Sequence, residues 1–347
     1  MREYLYRVAT DEKNGAPEAL LKPFLLLLSF IYGVAAWKIR FFYRIKLLKQ
    51  KKLPKPVISI GNITLGGVGK TPLVMLIAQY LKKKGLKPAI LTRGYMGEGA
   101  KAASDEAQLL KELGVPVIVG RNRFEAAQEA LKKENIDVFL LDDGFQHWCL
   151  ARDLDIVLID AAKPFGNGCL FPRGILREPL SALKRAGVFV LTKTDFSCDI
   201  ETMRKQLKAI NPSAPIIETI HAPVRLKDLK ENKTVELPFL QNKNVVAVSG
   251  IGDPASFDHL LKHLGAKVSK HFSFLDHHNY KANDVARIAE FAKKENIEIC
   301  LTTDKDAVKL KKFISESDLC YLSLQIKIEI VKGEDEFFRR ISSNLHR

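Results

Sequence analysis

The segment Asn62-Ile63-Thr64-Leu65-Gly66-Gly67-Val68-Gly69-Lys70-Thr71-Pro72 follows the apolar run Val57–Gly61 and opens a helix-forming stretch. Its spacing is that of the phosphate loop G-x-x-x-x-G-K-[ST], with Thr64 in place of the first Gly. Glycines at 66, 67 and 69 let successive backbone N–H groups curl around phosphate oxygens. Lys70 then reaches the β- and γ-phosphates, and the Thr71 hydroxyl faces Mg²⁺. The nucleotide-binding residues expected here are Thr64, Gly66, Gly67, Val68, Gly69, Lys70 and Thr71. A glycine-rich turn with an incidental lysine is the plain alternative. The strand before and the helix after weigh against it, because a helix N-terminus favours an anion.

Carboxylates recur at the ends of other apolar runs. Val138–Leu141 ends in Asp142-Asp143-Gly144-Phe145-Gln146-His147, the arrangement in which an acidic residue holds Mg²⁺ directly or through water. Its plain alternative is a turn capped by Asp143. Asp160, at the end of the next run, is a weaker second candidate. Asp105 follows the glycine-rich stretch 94–99 and reads by itself as a helix N-cap. Arg93 sits just past its strand, where it could face phosphate. Arg177-Glu178 lies in a basic loop suited to a phosphorylated substrate, or to a surface ion pair. Thr192-Lys193-Thr194-Asp195 is a partial guanine-reading motif without its Asn. In Asp276-His277-His278 a carboxylate could hold one imidazole tautomer for base catalysis. The residues alone favour a capping turn with surface histidines, and their consecutive spacing disfavours zinc.

These side chains need elements to place them. Apolar runs at Val57–Gly61, Ala89–Thr92, Val115–Val119, Val138–Asp142, Ile156–Asp160 and Val188–Thr192 alternate with helical stretches at 72–84, 105–113 and 123–134. A weaker strand is expected at Ile216–Ile220. The alternation predicts an α/β fold with a mostly parallel sheet, whose ligands sit at the carboxyl ends of strands. A second α/β pattern begins at Val245, with strands at 245–249, 298–301 and 320–324 and a helix from Ala255. The expected organisation is therefore an N-terminal segment 1–56, a phosphate-loop domain 57–222, a linker 223–244 and a smaller domain 245–347.

The chain has 347 residues, 46% hydrophobic and 27% charged, which excludes a disordered scaffold. Lys and Arg number 55 against 40 Asp and Glu, a net charge of +15 that favours anionic partners. Residues 1–56 carry 12 basic and 4 acidic residues, net +8, beside the uncharged 14-residue run Phe24–Trp37. That run is shorter than a spanning helix and reads as an amphipathic helix in the surface of an anionic leaflet. A core helix with a solvated basic face is the alternative. Five cysteines without a C-x-x-C pair suit a reducing compartment.

Taken in order, GNITLGGVGKTP, LTRGY, SDEAQLL, DDGFQH, FGNGCLFPRGILREPLSALKRA, VSGIGDP, DHHNY and TTDKDAVK resemble the tetraacyldisaccharide 4′-kinase family over nearly the whole chain. The resemblance implies a phosphate-loop domain, a two-stranded linker and a smaller α/β domain. It implies transfer of the γ-phosphate of ATP, with Mg²⁺, to the 4′-hydroxyl of a tetraacyldisaccharide 1-phosphate in lipid A biosynthesis. Asp105 matches the catalytic base and His277 its partner. Ser104 and Ala107 replace the usual Gly and Pro around that base. Asp142 and Asp143 match the acidic pair, with Thr71, at the metal. Arg93, Tyr95, Gln146, Arg177 and Glu178 match the substrate side. The implied partners are the lipid substrate and the anionic cytoplasmic face of an inner membrane, bound peripherally by a monomer, with no nucleic acid. In-line transfer with closure of the two domains is the expected mechanism. The resemblance sets the guanine reading of Thr192–Asp195 aside. Two other readings stand beside it. One is a partitioning-type ATPase switch, although Leu65 replaces the extra Lys of that loop. The other is a GTPase metal chaperone.

Overall fold

The computed structural model describes residues 8–11, 13, 15–93, 110, 114–197, 199–276, 278–315 and 317–345. The chain divides into a first unit, residues 1–220 with 328–347, and a second unit, residues 221–327.

In the first unit, helix α1 (Ala16–Arg44) precedes β1 (Val57–Asn62), α2 (Lys70–Lys83), β2 (Pro88–Thr92), β3 (Val117–Val119) and α3 (Arg123–Lys133). There follow β4 (Val138–Asp142), β5 (Leu154–Asp160), β6 (Val188–Thr192), α4 (Ile200–Ile210) and the start of β7 (Ile216–Asp228). The strands are parallel in the order β7-β6-β5-β1-β4-β2-β3. β1, β2, β4 and β6 are buried at every position, as expected of parallel strands covered on both faces. On one face α2 buries Leu73, Val74, Ile77, Ala78 and Leu81, the apolar stripe of an amphipathic helix. On the other face Met203 and Leu207 of α4 pack with Val157, Phe189 and Leu191. Each such aliphatic side chain contributes about 1.5–3 kcal/mol relative to exposure.

In the second unit β8 (Thr234–Val235) pairs antiparallel with β7, joining Leu226 to Val235. Then come β9 (Asn244–Ser249), α5 (Pro254–His263), β10 (Lys267–Ser273), α6 (Ala282–Lys294), β11 (Ile299–Thr303), α7 (Asp304–Leu310) and β12 (Cys320–Lys332). The parallel order is β10-β9-β11-β12. Val246, Val248, Ile288 and Tyr321 are in its core.

Four features depart from the sequence expectation. β7 and β12 each run 13 residues, well past the short strands expected at 216–220 and 320–324, and β10 carries no apolar run to signal it. The last helix, α8 (Glu334–Ser343), belongs to the first unit although the smaller domain was expected to run to residue 347. The reason is its stripe: Phe337 and Ile341 are fully buried among Ile217, Val188 and Leu154. The N-terminal helix extends well beyond the uncharged run 24–37. Lys38, Arg40 and Arg44 are good helix formers, so charge ends the apolar run without ending the helix, and Pro23 is carried inside it. The expected helix at 105–113 lies outside the described residues except at Leu110, which is buried.

Candidate active site

The order of the first sheet places β1 between β4 and β5, so the loops leaving these strands meet at one edge. After β1, residues 63–65 turn along 175–177: Leu65 N–H donates to Ile175 O at 2.7 Å and Arg177 N–H to Ile63 O at 2.7 Å. Gly69, the N-cap of α2, has φ 86°, a left-handed conformation that glycine adopts without a Cβ penalty. No side chain caps α2 and its first turn carries no acid, so its leading N–H groups and dipole face the loop. Gly66 and Gly67 are exposed, whereas Val68 is buried in the core beneath the loop.

Lys70 Nζ donates to Asn62 Oδ1 at 3.2 Å and lies 3.6 Å from Asp143 Oδ1. Asp143, just past β4, has φ 49° and accepts both arms of Arg177, at 2.7 and 3.1 Å. Burial works against the Asp143 charge, but the Lys70 ammonium and the Arg177 guanidinium outweigh it and hold the carboxyl down to about 2. Asp142 is buried, with Oδ2 3.5 Å from the Thr92 hydroxyl.

A second layer sits behind this cluster. Glu178, 3% exposed, accepts from Arg185 at 3.0 and 3.2 Å, from Arg40 of α1 at 3.3 Å and from Gln146 at 3.2 Å. Gln146 Nε2 also donates to Asn62 O at 2.9 Å. The Arg185 guanidinium lies over both the Phe145 and Trp148 rings, 4.1 Å from each centroid. His147 is pushed down to about 4 by burial and by the guanidiniums of Arg123, Arg152 and Arg93. Arg93 thus stands in a cationic patch at the carboxyl end of β2.

The apolar helix is stitched to the same loops: Ser29 Oγ donates to Leu170 O at 2.8 Å and Tyr32 OH donates to Arg177 O at 2.9 Å, while ahead of the helix Asp11 accepts from both Arg173 nitrogens. A Cβ at Gly33 would come within 2.9 Å of Leu170, so glycine permits this approach. The opposite stripe is bare: Leu20 is 83% and Phe30 70% exposed. By length and composition α1 could cross a membrane.

The structure brings together Lys70, Asp142, Asp143, Gln146, Arg177 and Glu178. Thr64 is buried and accepts from Asn62, at its main-chain O and at Oγ1. Asp160 is spent elsewhere: Lys193 Nζ lies 2.6 Å from Oδ2, and Oδ1 accepts from the N–H of Ala162 and Lys163. That buried pair occupies the Lys of the Thr192–Asp195 motif. Asp105, Tyr95 and His277 lie outside the described residues. Asn62, Arg40, Arg123 and Arg185 were missed by sequence reasoning. Only Asn62 left a signal, as a polar residue closing an apolar strand.

The tetraacyldisaccharide-1-P 4′-kinase family model matches residues 21–346. The chain is 36% identical to the tetraacyldisaccharide 4′-kinase of Halothermothrix orenii, with 95% of each chain covered. It is 37% identical to that of Syntrophus aciditrophicus, with 96% of each covered. It also resembles LpxK from Aquifex aeolicus, crystallised in complex with ATP, at 31% identity and a TM-score of 0.71 over 94% of this chain and 100% of that one. The phosphate loop, its acidic strand end and a match along almost the whole length lead to one assignment: the chain belongs to the tetraacyldisaccharide-1-P 4′-kinase family.

Proposed function

We propose that this protein transfers the terminal phosphate of ATP to the 4′-hydroxyl of tetraacyldisaccharide 1-phosphate, a step of lipid A synthesis at a membrane surface. The observation that carries the reading is the meeting of Lys70, Asp143 and Arg177 beside an uncapped helix N-terminus. Two cations against one carboxylate leave a surplus of positive charge where a triphosphate would lie.

Lys70 and the loop amides at 66–71 hold the β- and γ-phosphates and stabilise charge on the transferring group. Magnesium suits the acidic strand end, since this ion is held by one or two carboxylates together with phosphate oxygens. Among the described residues no cluster of three or more His, Cys, Asp or Glu forms a protein-only metal site. Thr71 with Asp142 or Asp143 would hold the ion, which screens the phosphate charge. Asp105 takes the proton of the sugar hydroxyl as its oxygen bonds to phosphorus and ADP leaves; the partnership with His277 is the one the family resemblance implies. Arg93, Tyr95, Gln146 and Arg177 are assigned to the sugar and its phosphate, and Glu178, buried behind them against Arg185 and Arg40, holds that side in place without facing it.

Two features support a lipid acceptor. The bare stripe of α1 is apolar, and its basic end exposes Lys38 and Arg44, as expected of a helix lying in the cytoplasmic surface of an anionic bilayer. Beside it an open, mostly apolar groove of about 540 Å³, lined by Pro23, Leu26, Leu27, Ser29, Phe30, Cys169 and Leu170, fits an acyl chain. Incubation with γ-³²P-ATP and an acylated glucosamine disaccharide 1-phosphate tests the reading, with a labelled lipid as the expected product. Label released only as inorganic phosphate, together with nucleotide-dependent dimerisation, would favour an ATPase switch instead.

A further inference from the structure

Asn62 is a polar side chain in an apolar place. It ends β1, fully buried between the neighbouring strands β4 and β5. A buried amide is tolerated only when its hydrogen-bonding groups are used. Here they are all used. Nδ2 donates to Thr64 O at 2.7 Å and to Thr64 Oγ1 at 3.1 Å. Oδ1 accepts from Lys70 Nζ at 3.2 Å, and the main-chain oxygen accepts from Gln146 Nε2 at 2.9 Å. An ammonium only donates, so the oxygen end of the amide must face Lys70 and the nitrogen end must face Thr64.

The identity of this partner matters more than its presence. Asp143 Oδ1 is farther from Lys70, at 3.6 Å, and its charge is already shared with Arg177 at 2.7 Å. The nearer group, Asn62, is neutral. It fixes the ammonium in space without cancelling its charge. A carboxylate at the same place would fix the ammonium equally well and neutralise it.

We propose that Asn62 is the positioning residue of Lys70: a neutral acceptor, braced by Thr64 and Gln146, that aims the ammonium at the nucleotide phosphates and leaves its charge for them. The inference rests on the phosphate-loop reading of Lys70. It adds that the chemical character of residue 62 sets how strongly that lysine grips ATP.

Three variants of the full chain test it, using calorimetric titration with Mg-ATP, KM and kcat with the acylated disaccharide, and thermal melting. Lys70→Met should weaken Mg-ATP binding about tenfold or more, the scale of a hydrogen bond to a charged group. Unchanged binding there would overturn the phosphate-loop reading itself. Asn62→Asp should raise the KM for ATP about tenfold, with kcat within about threefold. Asn62→Ser, which removes the ammonium's nearest acceptor without adding a charge, should mainly lower kcat and bind Mg-ATP more tightly than Asn62→Asp. A purely structural role instead predicts that both variants lose melting temperature and Mg-ATP binding to a similar extent, because the acid sets an acceptor where the amide donates to Thr64 and the serine is too short to replace it. The inference is overturned if Asn62→Asp binds Mg-ATP as tightly as Asn62→Ser or as the unaltered chain while Lys70→Met does not. If Asn62→Ser melts below the assay temperature, the Asn62→Asp split decides: lost kcat with unchanged KM overturns the inference.

Discussion

The phosphate loop and helix α1 treat water in opposite ways. At the loop, charges are clustered with cations in excess: Lys70 and Arg177 share Asp143, and Glu178 is buried against Arg185 and Arg40. On α1, large apolar side chains such as Leu20 and Phe30 stand in solvent, and the helix is held through a narrow stripe that includes Ser29, Gly33, Tyr32 and Arg40. Clustered charge with cations in excess suits a site that must hold a polyanion in fixed geometry. Exposed apolar area of this extent suits a surface whose partner is itself apolar. A kinase for a lipid-linked sugar needs both, and Arg40 is where the two meet.

The sharpest way to break this contrast is at the chemistry. Asp105→Ala should lower kcat by about 10²–10⁴, the usual contribution of a general base, while calorimetry still shows ATP binding. Full turnover by that variant would remove the base assignment. The apolar side is tested by Leu27→Glu with Phe30→Glu. Flotation with anionic vesicles should show binding weakened by about tenfold or more, with the KM for ATP unchanged. Vesicle binding that survives would mean that α1 does not carry the contact. Arg40→Gln probes the link between the two regions. Arg185 still neutralises Glu178, so stability should fall by only about 1 kcal/mol in a denaturant titration.

The smallest effect concerns acid. Asp143 is lowered from 3.8 to about 2, so its ion pairs add stability that is fully present above about pH 4. That stability is lost as pH falls through about 2. Asp143→Asn should therefore flatten the acid side of a melting-temperature profile between about pH 4 and 2 and leave its shape near neutrality alone. A profile of unchanged slope in acid would show that the Lys70 and Arg177 contacts do not stabilise the charged form.

Much of the first unit was legible in the sequence because its signals are local. Apolar runs of four or five residues gave β1, β2, β4 and β6, and glycine spacing gave the phosphate loop. β10 was illegible because Lys267, Ser269, Lys270 and Ser273 interrupt any apolar run and most of its positions are not buried. The second layer of the site was illegible for another reason. Arg40 meets Glu178 across 138 residues, and Gln146 meets Asn62 across 84. Such pairs depend on which strands become neighbours, and no spacing rule reports that. Arg185 carried a charge in a basic stretch, but nothing in the stretch told that it would lie over the Phe145 and Trp148 rings. The reach of α1 past residue 37 was hidden by its charges, which end a hydropathy run but not a helix.

The return of the chain to its first unit has a consequence for synthesis on the ribosome. Ile328, Phe337 and Ile341 fill the same core as β1 and α2, yet 107 residues of the second unit separate this last piece from residue 220. While those residues are being made, the nascent phosphate-loop unit lacks a wall of its interior and offers Tyr80, which later stacks on Phe338, to whatever is near. The phosphate-loop half is thus begun before the second unit and completed after it, and a truncation that removes only helix α8 opens the core that the strand carrying Asn62 also lines.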